Sequence, residues 1–328
     1  MAAPSTDWHE APSPDEPARH ARQTEIITTI QAAVSAKAGP GRAFHRKGLL
    51  ALQADFVVRD QLPAHARHGL FRAPASFPCR IRLSNGAVRA QSDRTSDIRG
   101  FAVSVEVPDA PGALGGLTAH QDFLLINRAA FGFPTSAEFV AVVHALSRGP
   151  LALIGHFVGT YGLFAGLGRL RALQASASAP FAGFASSPFF SAAPLACGPY
   201  AVRARVAPAA TDPSTHPEDQ AVDVRARLAA GALSFPFQLQ FFVDERVTPI
   251  EDATDAWSEA DAPWETVADV VVRRPQPSGP AYEALADAVE AATFDPWQAL
   301  VEHRPLGEVM RSRKVAYLAS AKARAAAP

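Results

Sequence analysis

The sequence predicts an α+β protein, an antiparallel β-core with helical additions. Two observations carry this. Seven short apolar or alternating runs of strand length are separated by long, uneven connections, and helical periodicity marks both ends of the chain. A doubly wound parallel sheet would require regular helices between strands, and the connections do not supply them.

In order along the chain, the opening stretch MAAPSTDWHEAPSPDEPARHAR is proline-rich and mixed in charge. It lacks a basic segment followed by an apolar one, so residues 1–20 read as a disordered arm rather than a secretory signal, and a cytoplasmic location is expected. Over 22–37, Ile26, Ile27, Ile30, Ala33 and Val34 share one helical face, and Gly39-Pro40-Gly41 ends the helix. Strands are expected at 52–58, 79–84, 100–107, 122–127, 200–206, 233–243 and 267–273. In the sixth, Phe235, Phe237, Leu239, Phe241 and Val243 share a face, while Pro236 on the other face suits an edge or a bulge. Loops are expected at 209–219 and 274–280, and helices over 282–293 and 306–324.

The most apolar uncharged stretch runs from Leu151 to Gly168 and reaches the ~18 residues at which a membrane span is considered. Its five glycines, His156 and Tyr161 predict a packed helix instead, with peripheral membrane contact through 151–168 as the alternative.

Composition narrows the function classes. The chain has 328 residues, a formal net charge of −1, 48% hydrophobic and 19% charged residues. That apolar fraction excludes wholesale disorder, and the balanced charge gives no electrostatic case for nucleic acid. At ~150 residues per domain the length fits two domains or one large core. Cys79 and Cys197 are the only cysteines, which permits one disulfide but neither a disulfide framework nor a thiolate metal cluster. Tyrosine is scarce: Tyr161, Tyr200, Tyr282 and Tyr317 face 20 phenylalanines.

The final helix carries the first chemical signal. Arg313 and Tyr317 are four residues apart on one helical face, and Arg324 follows seven residues later on the same stripe. A guanidinium one turn from a phenol favours the ionised form of that phenol. By spacing alone, a basic amphipathic helix with one buried tyrosine is the favoured reading of these residues.

The wider sequence resembles the haem-dependent catalase family, specifically its small members that consist of little more than the central barrel. The family's proximal Arg-x-x-x-Tyr, with a further Arg seven residues on, is matched by Arg313, Tyr317 and Arg324. Its Val-Arg-Phe-Ser strand is matched by Ile81-Arg82-Leu83-Ser84, and its Asp-Pro-Arg-Gly-Phe-Ala by Asp97-Ile98-Arg99-Gly100-Phe101-Ala102. Its distal Arg three residues before a His is matched by Arg42-Ala43-Phe44-His45. The pieces fall in family order from about Arg42 to Arg324.

The resemblance implies an eight-stranded antiparallel β-barrel with surrounding helices, a single haem-binding domain over 21–328. It implies haem b (iron protoporphyrin IX) with Tyr317 as the phenolate ligand of iron and Arg313 beside it. Arg42, Arg82 and Arg324 would pair with the propionates, His45 would serve as general acid–base, and Ser84 would orient His45. Phe131 or Phe133 would stack on the porphyrin or simply fill core. The substrate implied is hydrogen peroxide or an organic or lipid hydroperoxide, acted on by a monomer or homodimer.

The chain departs from the family at three points. The distal Asn falls at His120, or at Gln121 with a one-residue slip, and His120 is a candidate to orient peroxide in its place. Phe44 stands where relatives that rearrange fatty-acid hydroperoxides, the allene oxide synthase type, carry Thr. Ala321 stands where large catalases carry a His. The functions implied are therefore a catalase-related peroxidase, with a hydroperoxide isomerase or a non-catalytic haem-binding protein as alternatives.

Overall fold

The structure is a computed structural model that describes residues 3–177 and 180–324. A helix, α1 (Glu16–Ala38), leads into four antiparallel strands, β1 (Lys47–Val58), β2 (Ser76–Asn85), β3 (Arg99–Pro111) and β4 (Leu117–Ile126). Three helices follow, α2 (Ser136–Ser147), α3 (Pro150–Tyr161) and α4 (Leu163–Ala177). The chain then returns to the sheet through β5 (Phe189–Phe190), β6 (Leu195–Cys197) and β7 (Tyr200–Val206), adds α5 (Gln220–Ala230), and lays down β8 (Ser234–Phe241) and β9 (Trp264–Val272). It ends in α6 (Pro280–Ala291) and α7 (Glu308–Ala323).

The sheet closes on itself. Its order runs β4, β3, β2, β1, β9, β8, β7, β5, and β5 returns to β4, since Ile126 pairs with Phe190 while Phe189 pairs with Val206. The result is an eight-stranded antiparallel barrel, with β6 added alongside β7. Closure removes the exposed sheet edges that would otherwise invite pairing with other chains. Pro236 lies in β8 beside a register irregularity at Phe237/Gln238, so the bulge, not an edge, accommodates it.

Strand alternation decides where a ligand can go. Leu50, Leu52, Ile81, Leu83, Phe101, Val103, Phe123 and Leu125 point inward and are buried. Phe237 at the centre is flanked by Phe123 at 4.7 Å, Phe56 at 5.1 Å and Phe71 at 6.1 Å between ring centroids. The lumen is packed with side chains, so any site lies on the outer face of the barrel, beneath the helices.

Several expectations are corrected. Residues 3–20 are not a disordered arm. Trp8 Nε1 donates to the Pro199 carbonyl, Glu10 pairs with Arg304 and Arg311, and α1 already begins at Glu16. Those ion pairs, together with Arg311 to Glu16 and Glu251, tie the N-terminal segment to α7. The 151–168 stretch is two helices of a hairpin rather than one packed helix, and Leu151, Leu163 and Phe164 are exposed. No helix among the described residues is long and apolar enough to cross a membrane. Cys79 and Cys197 are buried and free. The strands β5 and β6 and the helix α5 were not anticipated.

The packed lumen has an energetic consequence. Phe237→Ala opens a void amid three aromatic rings and should destabilise the protein by about 3–5 kcal/mol in denaturant unfolding. Exposed Val301→Ala should change stability by less than about 0.5 kcal/mol.

Candidate active site

Two register rows on the outer face of the barrel build the floor of the site. One row is Gly48, Ser84, Gly100 and Ile126; the next is Ala51, Arg82, Ala102 and Leu124. A bulge between Gly48 and Leu50 keeps β1 in step so that Gly48 and Ala51 both join this face. Four of the eight positions are Gly or Ala, and the space over the two glycines is taken by His45 and Ser84 at Gly100 and by Glu290 and Arg82 at Gly48. The helices α1, α2, α6 and α7 enclose a cavity of about 2130 Å³ above it, lined largely by Ile26, Ile30, Phe44, Leu124, Phe131, Phe139, Val140 and Ala316 among others. Ligand pockets commonly measure ~300–1,000 Å³, so this cavity has room for a large ligand.

His45 projects into this cavity from the connection between α1 and β1. Its Nδ1 is 3.0 Å from Ser84 Oγ. Its backbone lies in the left-handed region at φ 51°, which a non-glycine residue adopts only when its surroundings hold it there. They do: His45 N–H donates to the Gly86 carbonyl at 3.0 Å, and Arg82 Nη2 donates to the His45 carbonyl at 2.9 Å. Burial, with the positive charges of Arg82, Arg313 and Arg42, pushes the His45 pKa down to about 3. The imidazole is therefore neutral at physiological pH. A neutral ring with its hydrogen on Nδ1 donates to Ser84 and leaves Nε2 as a proton acceptor facing the cavity.

Gly100 is required by this pairing. A Cβ there would lie 2.6 Å from His45 Nδ1 and 2.7 Å from Ser84 Oγ.

Three cations gather at the end of α6. Arg82, buried in β2, binds Glu290 Oε2 through Nε at 3.0 Å and Nη2 at 2.9 Å. Arg42 approaches the other Glu290 oxygen at 3.5 Å and donates to the carbonyls of Glu290, Ala292 and Thr293. Arg324 donates to the carbonyls of Glu290 and Ala292 at 3.0 and 2.7 Å. These carbonyls are the unsatisfied end of α6, where the helix dipole also favours cations. Burial and the neighbouring charges of Arg82 and Arg324 push Arg42 down to about 9, and burial lowers Arg324 as well. Arg42 Nε is buried without a hydrogen-bond partner.

On α7, Arg313 Nη2 donates to Tyr317 Oη at 2.7 Å, its guanidinium lying over the ring at 4.9 Å from the centroid. Both residues line the same cavity as His45. Phe131 and Phe133 line it too, in an aromatic cluster with Phe139.

Nine of the ten residues singled out in the sequence thus meet in one place: His45, Ser84, Arg42, Arg82, Phe131, Phe133, Arg313, Tyr317 and Arg324. His120 does not. It shares the outer face of β4 with Leu124 but lies two rows further along, opposite Glu106, with Ser104 Oγ 3.5 Å from its Nδ1. Between them sits buried Asp122, whose Oδ2 accepts from the Asp295 N–H. Burial pushes the Asp122 carboxyl up to about 7. Gln121 points elsewhere, accepting from the Leu300 N–H. Glu290 went unread in the sequence. An acid in the last turn of a helix opposes the dipole, and that is the signal that marks it as a partner for cations.

With barrel, helices and cavity in place, the architecture defines a class: this is the catalase fold. A fungal catalase superposes with a TM-score of 0.68 at 17% identity over 89% of this chain and 61% of its own. Catalase A from Saccharomyces cerevisiae gives 0.67 at 16% identity, over 98% of this chain and 67% of its own. The chain thus spans about three-fifths to two-thirds of these catalases' lengths. No family model and no curated protein matches the sequence.

Two outcomes follow from the geometry. Gly100→Ala should displace His45 from Ser84 and cost about 1–3 kcal/mol in stability, as overpacking does. The unfolded chain takes up a proton at His45 near pH 6.5 that the folded chain refuses until about 3, so the folded state loses stability as pH falls across that window. In thermal melts, His45→Gln should flatten part of the decline in Tm between those pH values. An unchanged pH profile would contradict the assignment.

Proposed function

We propose that this protein is a haem-dependent, catalase-related peroxidase that decomposes hydrogen peroxide or an organic hydroperoxide. The observation that carries the reading is the convergence of His45–Ser84, Arg313–Tyr317 and three guanidiniums on one apolar cavity. The residues fit haem b. The cavity over the barrel wall has the volume for a macrocycle. The cluster Arg42, Arg82 and Arg324 has one carboxylate, Glu290, among three cations, and Arg42 Nε approaches it only to 3.5 Å without making a hydrogen bond. That imbalance suits a ligand bearing two carboxylates, which guanidiniums bind through charge-assisted pairs.

In this reading Arg42, Arg82 and Arg324 hold the propionates, Tyr317 Oη ligates the iron, and Arg313 stabilises negative charge on that oxygen. Phe131 and Phe133 line the apolar wall. Bound haem would supply the redox-active iron at which the peroxide O–O bond is cleaved. The chain's own part is proton handling. His45 Nε2 takes the proton from one peroxide oxygen and delivers it to the departing oxygen, so that the leaving group departs neutral. Ser84 fixes the ring, and the low basicity of His45 keeps Nε2 free to accept. His120 has no part in this scheme.

The mostly apolar lining, with Phe44 beside His45, favours a hydroperoxide bearing an alkyl chain over hydrogen peroxide alone. Rearrangement of a fatty-acid hydroperoxide, as in allene oxide synthase-like relatives, is the second reading supported by that lining. With haem-loaded protein, His45→Gln should lower peroxide turnover by about 10²–10⁴-fold while haem remains bound. Product analysis after a fatty-acid hydroperoxide and an added phenolic electron donor, which supplies the two electrons each reduction consumes, should show the reduced alcohol; an epoxide or ketol, which needs no donor, would assign the isomerase. Full turnover by His45→Gln would overturn the acid–base role of His45, and no turnover by the unaltered haem-loaded protein would overturn both enzyme readings.

A further inference from the structure

The hairpin of α3 and α4 carries a face that the barrel does not cover. Along α3, Leu151, Ile154, Gly155 and Gly159 are exposed, an i, i+3, i+4, i+8 stripe on one side of the helix. The opposite side is fixed by Phe157, which packs with Val142 and Leu170. A surface helix ordinarily turns charge to solvent, yet α3 contains no Asp, Glu, Lys or Arg. At the corners the exposure is greatest: Leu151 is 83% and Phe164 88% exposed, with Leu146 and Leu163 also open.

The hairpin and the turn that leads into it carry charges of one sign. The chain has no Asp or Glu between Glu138 and Asp212. Glu138 is engaged by Tyr161 Oη at 3.2 Å. Arg148 and Arg171 are exposed, and Arg169 lies over the Tyr161 ring at 4.1 Å. The face also runs into the cavity. Leu146, Arg148, Gly149 and Pro150 line it, together with exposed Lys37 and Arg89 and with exposed Glu25 and Asp287. Lys37, Arg89, Arg148 and Arg171 make no ion pair among the described residues.

We propose that the α3–α4 hairpin and the adjoining cavity rim dock on an anionic lipid bilayer. Apolar side chains at the helix corners enter the acyl boundary, and the flanking cations meet the headgroups, the arrangement by which interfacial helices bind. A protein partner would have to supply an acidic, apolar surface; a bilayer containing anionic lipid presents both layers at once. Docked in this way, the cavity mouth opens towards the lipid. The docking does not depend on haem or on catalysis.

Flotation of the full chain with unilamellar vesicles tests this. Binding is expected to vesicles of equimolar phosphatidylcholine and phosphatidylglycerol, weakening in high salt, with little binding to phosphatidylcholine alone. The pair Leu151→Glu and Phe164→Glu should weaken binding about tenfold or more while leaving the far-ultraviolet spectrum and Tm unchanged. Arg148→Glu with Arg171→Glu should abolish the preference for the anionic vesicles. Failure of the unaltered protein to float, or floating that neither pair affects, overturns the proposal. So does light scattering that shows a dimer which Leu151→Glu and Phe164→Glu dissociate, since the face then serves a second copy of the chain.

Discussion

Guanidiniums gathered in one place repel one another, and a folded chain tolerates this only where anionic or dipolar partners converge on the same spot. Here the converging partners are the carboxylate of Glu290 and the carbonyls that end α6, shared among Arg42, Arg82 and Arg324. The three arginines come from the connection after α1, from β2 and from the end of α7. The cluster therefore joins the first and last helices to the barrel wall and sets the orientation of α6. It also leaves an excess of positive charge, on which the proposal of a dicarboxylate ligand rests.

The barrel supports this through its alternation. Inward positions fill the lumen with phenylalanine and aliphatic side chains, so Arg82 and Ser84, on the same strand as Ile81 and Leu83, must face outward. Small residues at Gly48, Ala51, Gly100 and Ala102 then lower the floor around them. Gly100 shows how tight the arrangement is, because its missing Cβ is the space occupied by the edge of His45. The strained backbone of His45 is held by contacts to Gly86 and Arg82, so the barrel wall that makes the floor also aims the imidazole.

Much of the site was legible in the sequence because it is local: Arg313 and Tyr317 are one helical turn apart, and Arg82 and Ser84 share one strand face. The placement of His45 beside Ser84 came through a matched motif, since 39 positions separate them and no local pattern joins them. Other features escaped for physical reasons. Two- and three-residue strands such as β5 and β6 carry no periodicity, although β5 closes the barrel. The N-terminal segment looked unstructured by composition, but Glu10 and Glu16 are ordered by ion pairs to Arg311, a partner about three hundred residues away. Alignment placed His120 at a distal position, whereas the register of β4 against β3 puts it opposite Glu106 and out of the cavity. In the apolar run at 151–168, the glycines, His156 and Tyr161 speak for packing but do not record that a turn at Gly162 makes it a hairpin.

The central claim is that the cavity holds haem with Tyr317 at the iron, and optical titration of the purified protein with haem tests it most directly. Saturation is expected at one haem per chain, with Tyr317→Phe changing the Soret spectrum or lowering the affinity for haem. Absence of a saturable Soret band, or one indifferent to Tyr317→Phe, would contradict it.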